Sequence, residues 1–213
     1  MLCYCYRPLC EYDTAAVRLR EITAYTLYLL FRPLWQRQKN WVVYEKFCKT
    51  AQDNSYYFFK YCMEHLPEKE RRHIYYIMDP REPDYKNVAG YGRQVVPFMS
   101  LKHMLLTLSM RICISSDSTS HLYVWRSKPS IVRRAIKQKK ELFLQHGVTA
   151  MKRVDQLFGK KGSSPMTYFV TCSRPEHDIV VREFGYAPAN VPLPALPAGM
   201  CWRTSPHRTI PLS

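Results

Sequence analysis

The feature that most constrains the fold is a regular alternation of strand-like and helix-like segments that begins after Asn40. Short runs rich in β-branched and aromatic residues, such as 41–45 and 73–79, are separated by segments with helical spacing, such as 53–66 and 101–110. Strands separated by helices of about 10 to 14 residues are typical of βαβ units, in which the strands lie parallel. The sequence therefore predicts an α/β fold with a Rossmann-like, mainly parallel sheet.

Later segments continue this pattern. The segment 174–186 is expected to form a helix with a proline near its start, where the missing N–H costs little. The run LYVWR at 122–126 is expected to extend the sheet. Other strands are expected at 95–99, 111–117, 141–147 and 167–173.

The sequence predicts three parts: a basic, aromatic segment at 1–40, the α/β domain at 41–192 and an irregular, proline-rich tail at 193–213. The apolar stretch Ile22 to Trp35 is too short to span a bilayer and is interrupted by Arg32-Pro33. Its aromatic residues and flanking cations suit a helix in the headgroup region of an acidic membrane. A helix packed on its own domain fits equally well.

The composition restricts the classes of partner. A formal net charge of +15 favours a polyanion, which is a nucleic acid, an acidic membrane surface or a phosphate-rich polymer. No RRM, KH or zinc-finger signature is found in the sequence, so we expect no nucleic acid partner, with a non-catalytic nucleic-acid- or membrane-binding module as the alternative. The sequence also contains no GxGxxG or P-loop motif. Four of the eight cysteines, Cys48, Cys62, Cys113 and Cys172, stand alone in apolar or mixed segments, which fits a reducing compartment. Three others cluster at 3–10 without a CxxC pair, so we expect no metal site.

The stretch FLQHG at 143–147 is the strongest candidate for chemistry. An apolar run ends at Gln145, His146 and Gly147, and the next segment, VTAMKRV at 148–154, has helical spacing. This places His146 at the carboxyl end of a buried strand, where ligands bind in open α/β sheets, with a glycine where the chain must turn. An imidazole there is suited to accept a proton from a hydroxyl group near neutral pH, although a purely structural histidine is an equal alternative.

Four segments in order resemble the CDP-glycerol glycerophosphotransferases that make teichoic acids. They are TAQDNSYYFFKYC (50–62), YYIMDPREPDYKNV (75–88), a block at 95–126 and a block at 143–186 that contains the QHG motif. The resemblance covers about residues 40 to 192. It implies the acceptor-side half of a glycosyltransferase-B-like fold, in which a nucleotide donor lies between two Rossmann-like halves.

The resemblance also implies a reaction and a location. A hydroxyl group of a lipid-linked polyol phosphate acceptor attacks the phosphate of CDP-glycerol, and CMP leaves. His146 matches the histidine to which the family assigns the role of catalytic base. No cofactor is expected, since CDP-glycerol is a substrate. The family acts as peripheral proteins on the cytoplasmic face of the cell membrane.

Several residues near His146 are candidates for substrate binding. The polar cluster after the strand at 111–117 is expected to line the same cleft, although an ordinary polar turn is favoured as its explanation. The basic residues after the QHG motif suit anionic substrates, although a solvated basic face is equally plausible. The candidates are Ser116, Asp117, Ser118, Gln145, Gly147, Lys152 and Arg153.

The chain departs from the family after Val191-Pro192. Where the family continues with a pattern such as TGxxRxDxL, this chain reads LPALPAGMCWRTS. If the reading frame is moved by one base, the codons of Met200, Cys201 and Trp202 include codons for Val-Leu. This pair fits the last two positions of the family pattern. We therefore expect 193–213 to be an out-of-frame tail and the donor-binding half to be missing; a folded linker is the alternative.

Overall fold

A sheet of six parallel strands forms the centre of the protein. The computed structural model describes residues 12–124, 130–147 and 154–193. The strands are β1 (Trp41–Tyr44), β2 (Ile74–Met78), β3 (Val95–Pro97), β4 (Ile112–Ser115), β5 (Lys140–Phe143) and β6 (Tyr168–Phe169). Their order is β3-β2-β1-β4-β5-β6, which is the Rossmann order, and the predicted α/β fold with a parallel sheet is confirmed.

Helices connect the strands, as the alternating pattern predicted. They are α1 (Ala15–Leu30), α2 (Arg32–Gln38), α3 (Asn54–His65), α4 (Glu68–Arg71), α5 (Tyr85–Val88), α6 (Leu101–Ser109), α7 (Ile131–Ile136), α8 (Asp155–Phe158) and α9 (Arg174–Arg182). Ser100 caps α6, because its hydroxyl oxygen accepts the backbone N–H of His103 at 3.1 Å. Short 3-10 turns at 46–48 and 119–121 follow β1 and β4 and lie beside the candidate site.

Apolar side chains cover both faces of the sheet. Val42, Tyr44 and Cys113 belong to a core that also includes residues of α1, α6 and α7. Val43 and Ile114 point to the opposite face, where they join the core that contains Phe59 of α3. Because successive strand residues alternate between the two faces, strands covered on both sides are apolar throughout.

The N-terminal helix α1 packs on the domain with one face and exposes the other. Val17, Glu21 and Ala24 are buried, and Glu21 Oε1 accepts hydrogen bonds from Tyr123 Oη at 2.8 Å and Ser130 Oγ at 2.6 Å. The exposed large apolar residues of this helix, of α2 and of the residue between them are Leu19, Ile22, Tyr25, Leu29, Leu30, Phe31 and Leu34. No helix within the described ranges is long and apolar enough to cross a membrane.

The prediction that the run at 122–126 extends the sheet is wrong for its described residues. Residues 122–124 of the run LYVWR are not in a strand, and 125–126 lie outside the described residues. Leu122 and Tyr123 are nevertheless buried, because they pack into the same core as α1 and α6. Their apolar character therefore reflects burial under α1 rather than pairing in the sheet. The predicted helix at 148–154, except Val154, and residues 194–213 of the tail also lie outside the described residues.

Candidate functional site

Three acidic or basic side chains from separate connections meet at the carboxyl edge of the sheet. Asp53 begins α3 after β1, Asp117 follows β4, and His146 follows β5. Strands β1 and β4 are neighbours, and the chain proceeds from them in opposite directions across the sheet. Such a switch point opens a crevice at the carboxyl ends of the strands, and ligands of open α/β folds bind there.

His146 lies between two carboxylates. Its Nδ1 is 2.6 Å from Asp53 Oδ2, and its Nε2 is 3.2 Å from Asp117 Oδ1. The His146 side chain is 46% exposed, whereas that of Asp117 is 8% exposed. The imidazole therefore stands at the mouth of the crevice and is accessible to a ligand.

The two carboxylates favour the charged form of the imidazole. Contacts with Asp117 and Asp53 raise the pKa of His146 to about 9, against the opposing effect of partial burial. Burial alone would raise the pKa of Asp117, but contacts with His121, His146 and the N–H of Lys46 outweigh it and hold that pKa well below its usual range. In this arrangement His146 carries two protons at neutral pH, and it must lose one before it can act as a base.

Asp117 is fixed by several contacts. Its Oδ2 accepts the backbone N–H of Lys46 at 2.9 Å, and its own N–H donates to Ser115 Oγ at 2.9 Å. His121 Nδ1 lies 3.3 Å from Asp117 Oδ1, and the His121 ring contacts the ring of Phe47 at a centroid distance of 3.8 Å. This carboxylate is therefore held from both its backbone and its side chain.

The turn that presents the Lys46 N–H is strained. Lys46, Phe47 and Cys48 have φ angles of 24°, 59° and 59°, in the region that favours glycine. Residues other than glycine cost about 1–3 kcal/mol each in such a conformation and persist where the surroundings hold them. Here the contacts of Lys46 with Asp117 and of Phe47 with His121 stabilise the strained turn.

A third carboxylate, that of Glu45, fills the amino end of α3, where Rossmann folds often bind phosphate. The buried Glu45 accepts the backbone N–H groups of Gln52, Asp53 and Tyr56 at 3.1, 3.0 and 2.7 Å. The Thr50 hydroxyl donates to the same carboxylate at 3.2 Å. Those donors are consequently not free for a phosphate group of a ligand.

The predicted substrate-binding residues divide into two groups. Asp117 contacts His146, and Gly147 is an exposed neighbour of it. Ser116, Ser118 and Gln145 instead make contacts that hold the framework: the N–H of Ser116 donates to Ser55 Oγ at 2.7 Å, Ser118 Oγ lies 3.0 Å from Ser164 Oγ, and the Gln145 amide donates to the Val170 carbonyl oxygen. Lys152 and Arg153 lie outside the described residues.

The turn at the QHG motif is made by its first residue. Gln145 has a φ of 60°, whereas Gly147 lies outside the left-handed region. The buried Gln145 side chain donates to the carbonyl oxygen of Val170, just after β6, which holds the backbone in this conformation. The left-handed conformation at Gln145 directly precedes His146, whose ring lies between Asp53 and Asp117.

Sequence reasoning missed three contributors to the site. Asp53 entered the sequence analysis only as the first residue of the helical segment 53–66, while His121 and the backbone N–H of Lys46 were not considered. In the structure, Asp53 Oδ1 accepts the N–H of the next residue, Asn54, at 2.8 Å, while Oδ2 faces His146. The position of Asp53 after β1 was the available signal, since the loops after β1, β4 and β5 meet at one edge.

Comparison with known proteins shows a distant similarity. No family model matches the chain. Over 169 residues it is 28% identical to the minor teichoic acid biosynthesis protein GgaB of Bacillus subtilis (strain 168), and the match covers 77% of this chain. The chain spans 18% of the length of GgaB.

Solved structures of the wall teichoic acid polymerase TagF are also similar to this chain. One TagF structure matches with 13% identity and a TM-score of 0.46, covering 87% of this chain and 48% of TagF. A structure of a TagF variant soaked with CDPG matches with 12% identity and a TM-score of 0.46, covering 86% of this chain and 48% of the other. The resemblance predicted from the ordered motifs is therefore confirmed as a distant similarity to teichoic acid biosynthesis proteins.

Proposed function

We propose that this chain is the acceptor-side half of a glycerophosphotransferase of teichoic acid biosynthesis. The enzyme moves glycerol phosphate from CDP-glycerol to a lipid-linked polyol phosphate acceptor and releases CMP. The observation that carries the proposal is an exposed imidazole between two carboxylates at the switch point of a parallel sheet. The similarity to GgaB supports the pathway, and the CDPG soak of a TagF variant supports the donor.

The chemistry of the site suits a hydroxyl nucleophile better than a nucleotide diphosphate. Asp53 and Asp117 bring negative charge to the crevice, and Glu45 occupies the N–H groups at the start of α3. An anionic diphosphate would be repelled there, whereas a hydroxyl group can donate a hydrogen bond to a carboxylate or to an imidazole nitrogen. These features favour acceptor binding by this half and donor binding by another half, which the family resemblance implies.

We place the protein at an acidic membrane surface. The large exposed apolar residues of α1 and α2 share this region with the exposed cations Arg18, Arg32 and Arg37. Apolar side chains that enter the headgroup boundary and cations that meet anionic lipids together stabilise peripheral binding. Such binding would bring the crevice close to an acceptor anchored in the same membrane.

The reaction is tested by CMP release from CDP-glycerol in the presence of a lipid-linked glycerol phosphate acceptor. In a full-length version that also contains the donor-binding half, we expect His146→Ala to lower turnover by at least about a hundredfold, the usual contribution of a positioned base. His65→Ala is the matched control, because His65 is exposed at the end of α3 and contacts the Tyr61 carbonyl oxygen. Wild-type turnover in a folded His146→Ala protein would assign this histidine to structure.

The membrane location is tested by sedimentation with vesicles that contain anionic phospholipid. The double variant Leu30→Ser with Leu34→Ser should bind less tightly, since each side chain is more than half exposed at 68% and 56%. Leu157→Ser, which changes a leucine of α8 that is 45% exposed, is the control. Equal binding by all proteins would contradict membrane binding through α1 and α2.

A nucleic-acid-binding module is the alternative function. Retention of the protein on DNA that falls steeply with salt, without CMP release, would favour that alternative.

A further inference from the structure

We propose that the two carboxylates at His146 have different roles: Asp117 permanently orients the ring through Nε2, and Asp53 is an exchangeable partner whose place at Nδ1 is taken by the acceptor hydroxyl. This inference rests on the proposed function and adds a positioning residue and an entry point for the acceptor. A histidine that contacts a carboxylate through both nitrogens has no free lone pair. One of the two contacts must therefore open before the ring can accept a proton.

The contacts of the two carboxylates indicate that Asp117 is the one that remains bound to His146. Asp117 is almost buried and is tied to the N–H of Lys46, to Ser115 and to the neighbourhood of His121. Moving it would leave the Lys46 N–H without its acceptor and release a strained turn. A buried carboxylate that holds one imidazole nitrogen fixes the tautomer and leaves the other nitrogen for the substrate.

The Asp53 carboxylate breaks fewer contacts when it moves than the Asp117 carboxylate would. Its side chain is 21% exposed, and besides His146 it contacts the N–H of Asn54. An aspartate at the start of a helix normally caps the N–H groups of the second or third helical residue. Glu45 takes the N–H of the third residue, Tyr56, so that α3 keeps a cap when the Asp53 carboxylate swings away.

The proton balance follows from this exchange. When the hydroxyl group displaces Asp53, the proton on Nδ1 leaves to solvent, and the hydroxyl O–H then donates to the Nδ1 lone pair. During transfer, the hydroxyl oxygen bonds to the phosphorus of the glycerol phosphate group while the bond from phosphorus to CMP breaks. The electron pair of that bond leaves with CMP, and Nδ1 takes the hydroxyl proton.

Nitrogen-15 NMR of the histidine rings tests the assignment in this chain without requiring turnover. In Asp53→Asn, we expect His146 to lose its proton at lower pH than in the wild type and the neutral ring to keep its proton on Nε2, facing Asp117. In Asp117→Asn, the remaining proton should move to Nδ1, facing Asp53. The ring of His177, which lies beside Asp178 on α9, is an internal control whose signals should be unchanged.

The Asp53→Asn protein decides the proposal even if Asp117→Asn fails to fold, because Asp53 is partly exposed. A neutral His146 ring protonated on Nδ1 in Asp53→Asn would overturn it. In a turnover assay, Asp117→Asn should lower the maximal rate by at least about a hundredfold, while Asp53→Asn should move the acidic limb of the pH profile to lower pH. In a full-length version that also contains the donor-binding half, the expected ring tautomers without any CMP release would refute the proposed transferase function and leave the positioning of His146 intact.

Discussion

Glu141 provides a quantitative prediction about stability. Its side chain is buried on β5, and its Oε1 atom has no hydrogen-bond partner among the described residues. Burial raises the pKa of Glu141 to about 8, although the backbone N–H of Thr119 partly offsets this. The carboxyl group is consequently protonated in the folded protein at neutral pH and ionised in the unfolded chain.

The sign of the effect follows from proton counting. Between the unfolded pKa of 4.5 and the folded pKa of about 8, the native state binds one more proton than the unfolded state. The free energy of unfolding therefore decreases as the pH rises, by about 1.4 kcal/mol per pH unit. From pH 5.5 to pH 7.0 the Glu141 contribution should fall by about 2 kcal/mol.

The assay compares the wild type with Glu141→Gln by urea unfolding at several pH values in this interval. Glutamine keeps the shape of the side chain and cannot ionise, so the variant should lack this part of the pH dependence. The other charged and titratable groups near Glu141 are the same in both proteins, so their contributions cancel in the comparison. The same holds for the buried Glu45, which also titrates near neutral pH. The groups near Glu141 include Lys137, Lys139, Lys160, Tyr44, Cys113 and Tyr186.

Parallel pH curves for the two proteins would refute the reasoning. They would mean that Glu141 is ionised in the folded protein. The lysines beside the 220 Å³ cavity that Glu141 lines would then be the candidates for its neutralisation. A difference that grows toward low pH instead of shrinking would reverse the sign and show that folding favours the charged carboxylate.

Two further variants test the packing and the capping. Phe169→Ala should lower the free energy of unfolding by about 3–5 kcal/mol in urea, because the buried ring contacts Phe143, Phe184 and Tyr186; a loss below about 1 kcal/mol would show that this core rearranges freely. Ser100→Ala should cost about 1 kcal/mol through the lost cap of α6, measured in the same way, and an unchanged midpoint would mean that another group caps the helix.

The sequence was sufficient to predict the sheet because its periodicity is local. The segments 41–45, 73–79 and 111–117 lie close to β1, β2 and β4, and the helical segment 53–66 lies close to α3. The run 122–126 was misassigned because burial under α1 produces the same apolar pattern as a central strand. That packing depends on contact between residues about 100 positions apart, such as Tyr123 with Glu21.

The candidate site was predicted only in part for a related reason. His146 follows an apolar strand and could be placed at the carboxyl edge from its own segment. Its partnership with Asp53 joins residues 93 positions apart, and no spacing rule reaches across that distance. Gln145 was grouped with the ligand-binding residues, but its side chain donates to the carbonyl oxygen of Val170, just after β6, which a pattern in one strand cannot show.

A substitution of Glu45 tests whether its carboxylate keeps a phosphate group away from the amino end of α3. Glu45→Ala removes the acceptor of three backbone N–H groups and the Thr50 hydroxyl. We expect a loss of at least about 2 kcal/mol in the free energy of unfolding, about the worth of one hydrogen bond to a charged group, because water regains some of the others.

The space left by the Glu45 side chain should then bind a small anion. Sodium formate supplies the missing carboxylate, so it should raise the unfolding midpoint of Glu45→Ala relative to sodium chloride at equal ionic strength. The wild type should show no such difference, since its own carboxylate already fills the position. If formate protects both proteins equally, the amino end of α3 is not an anion site, and Glu45 is not what excludes phosphate from it.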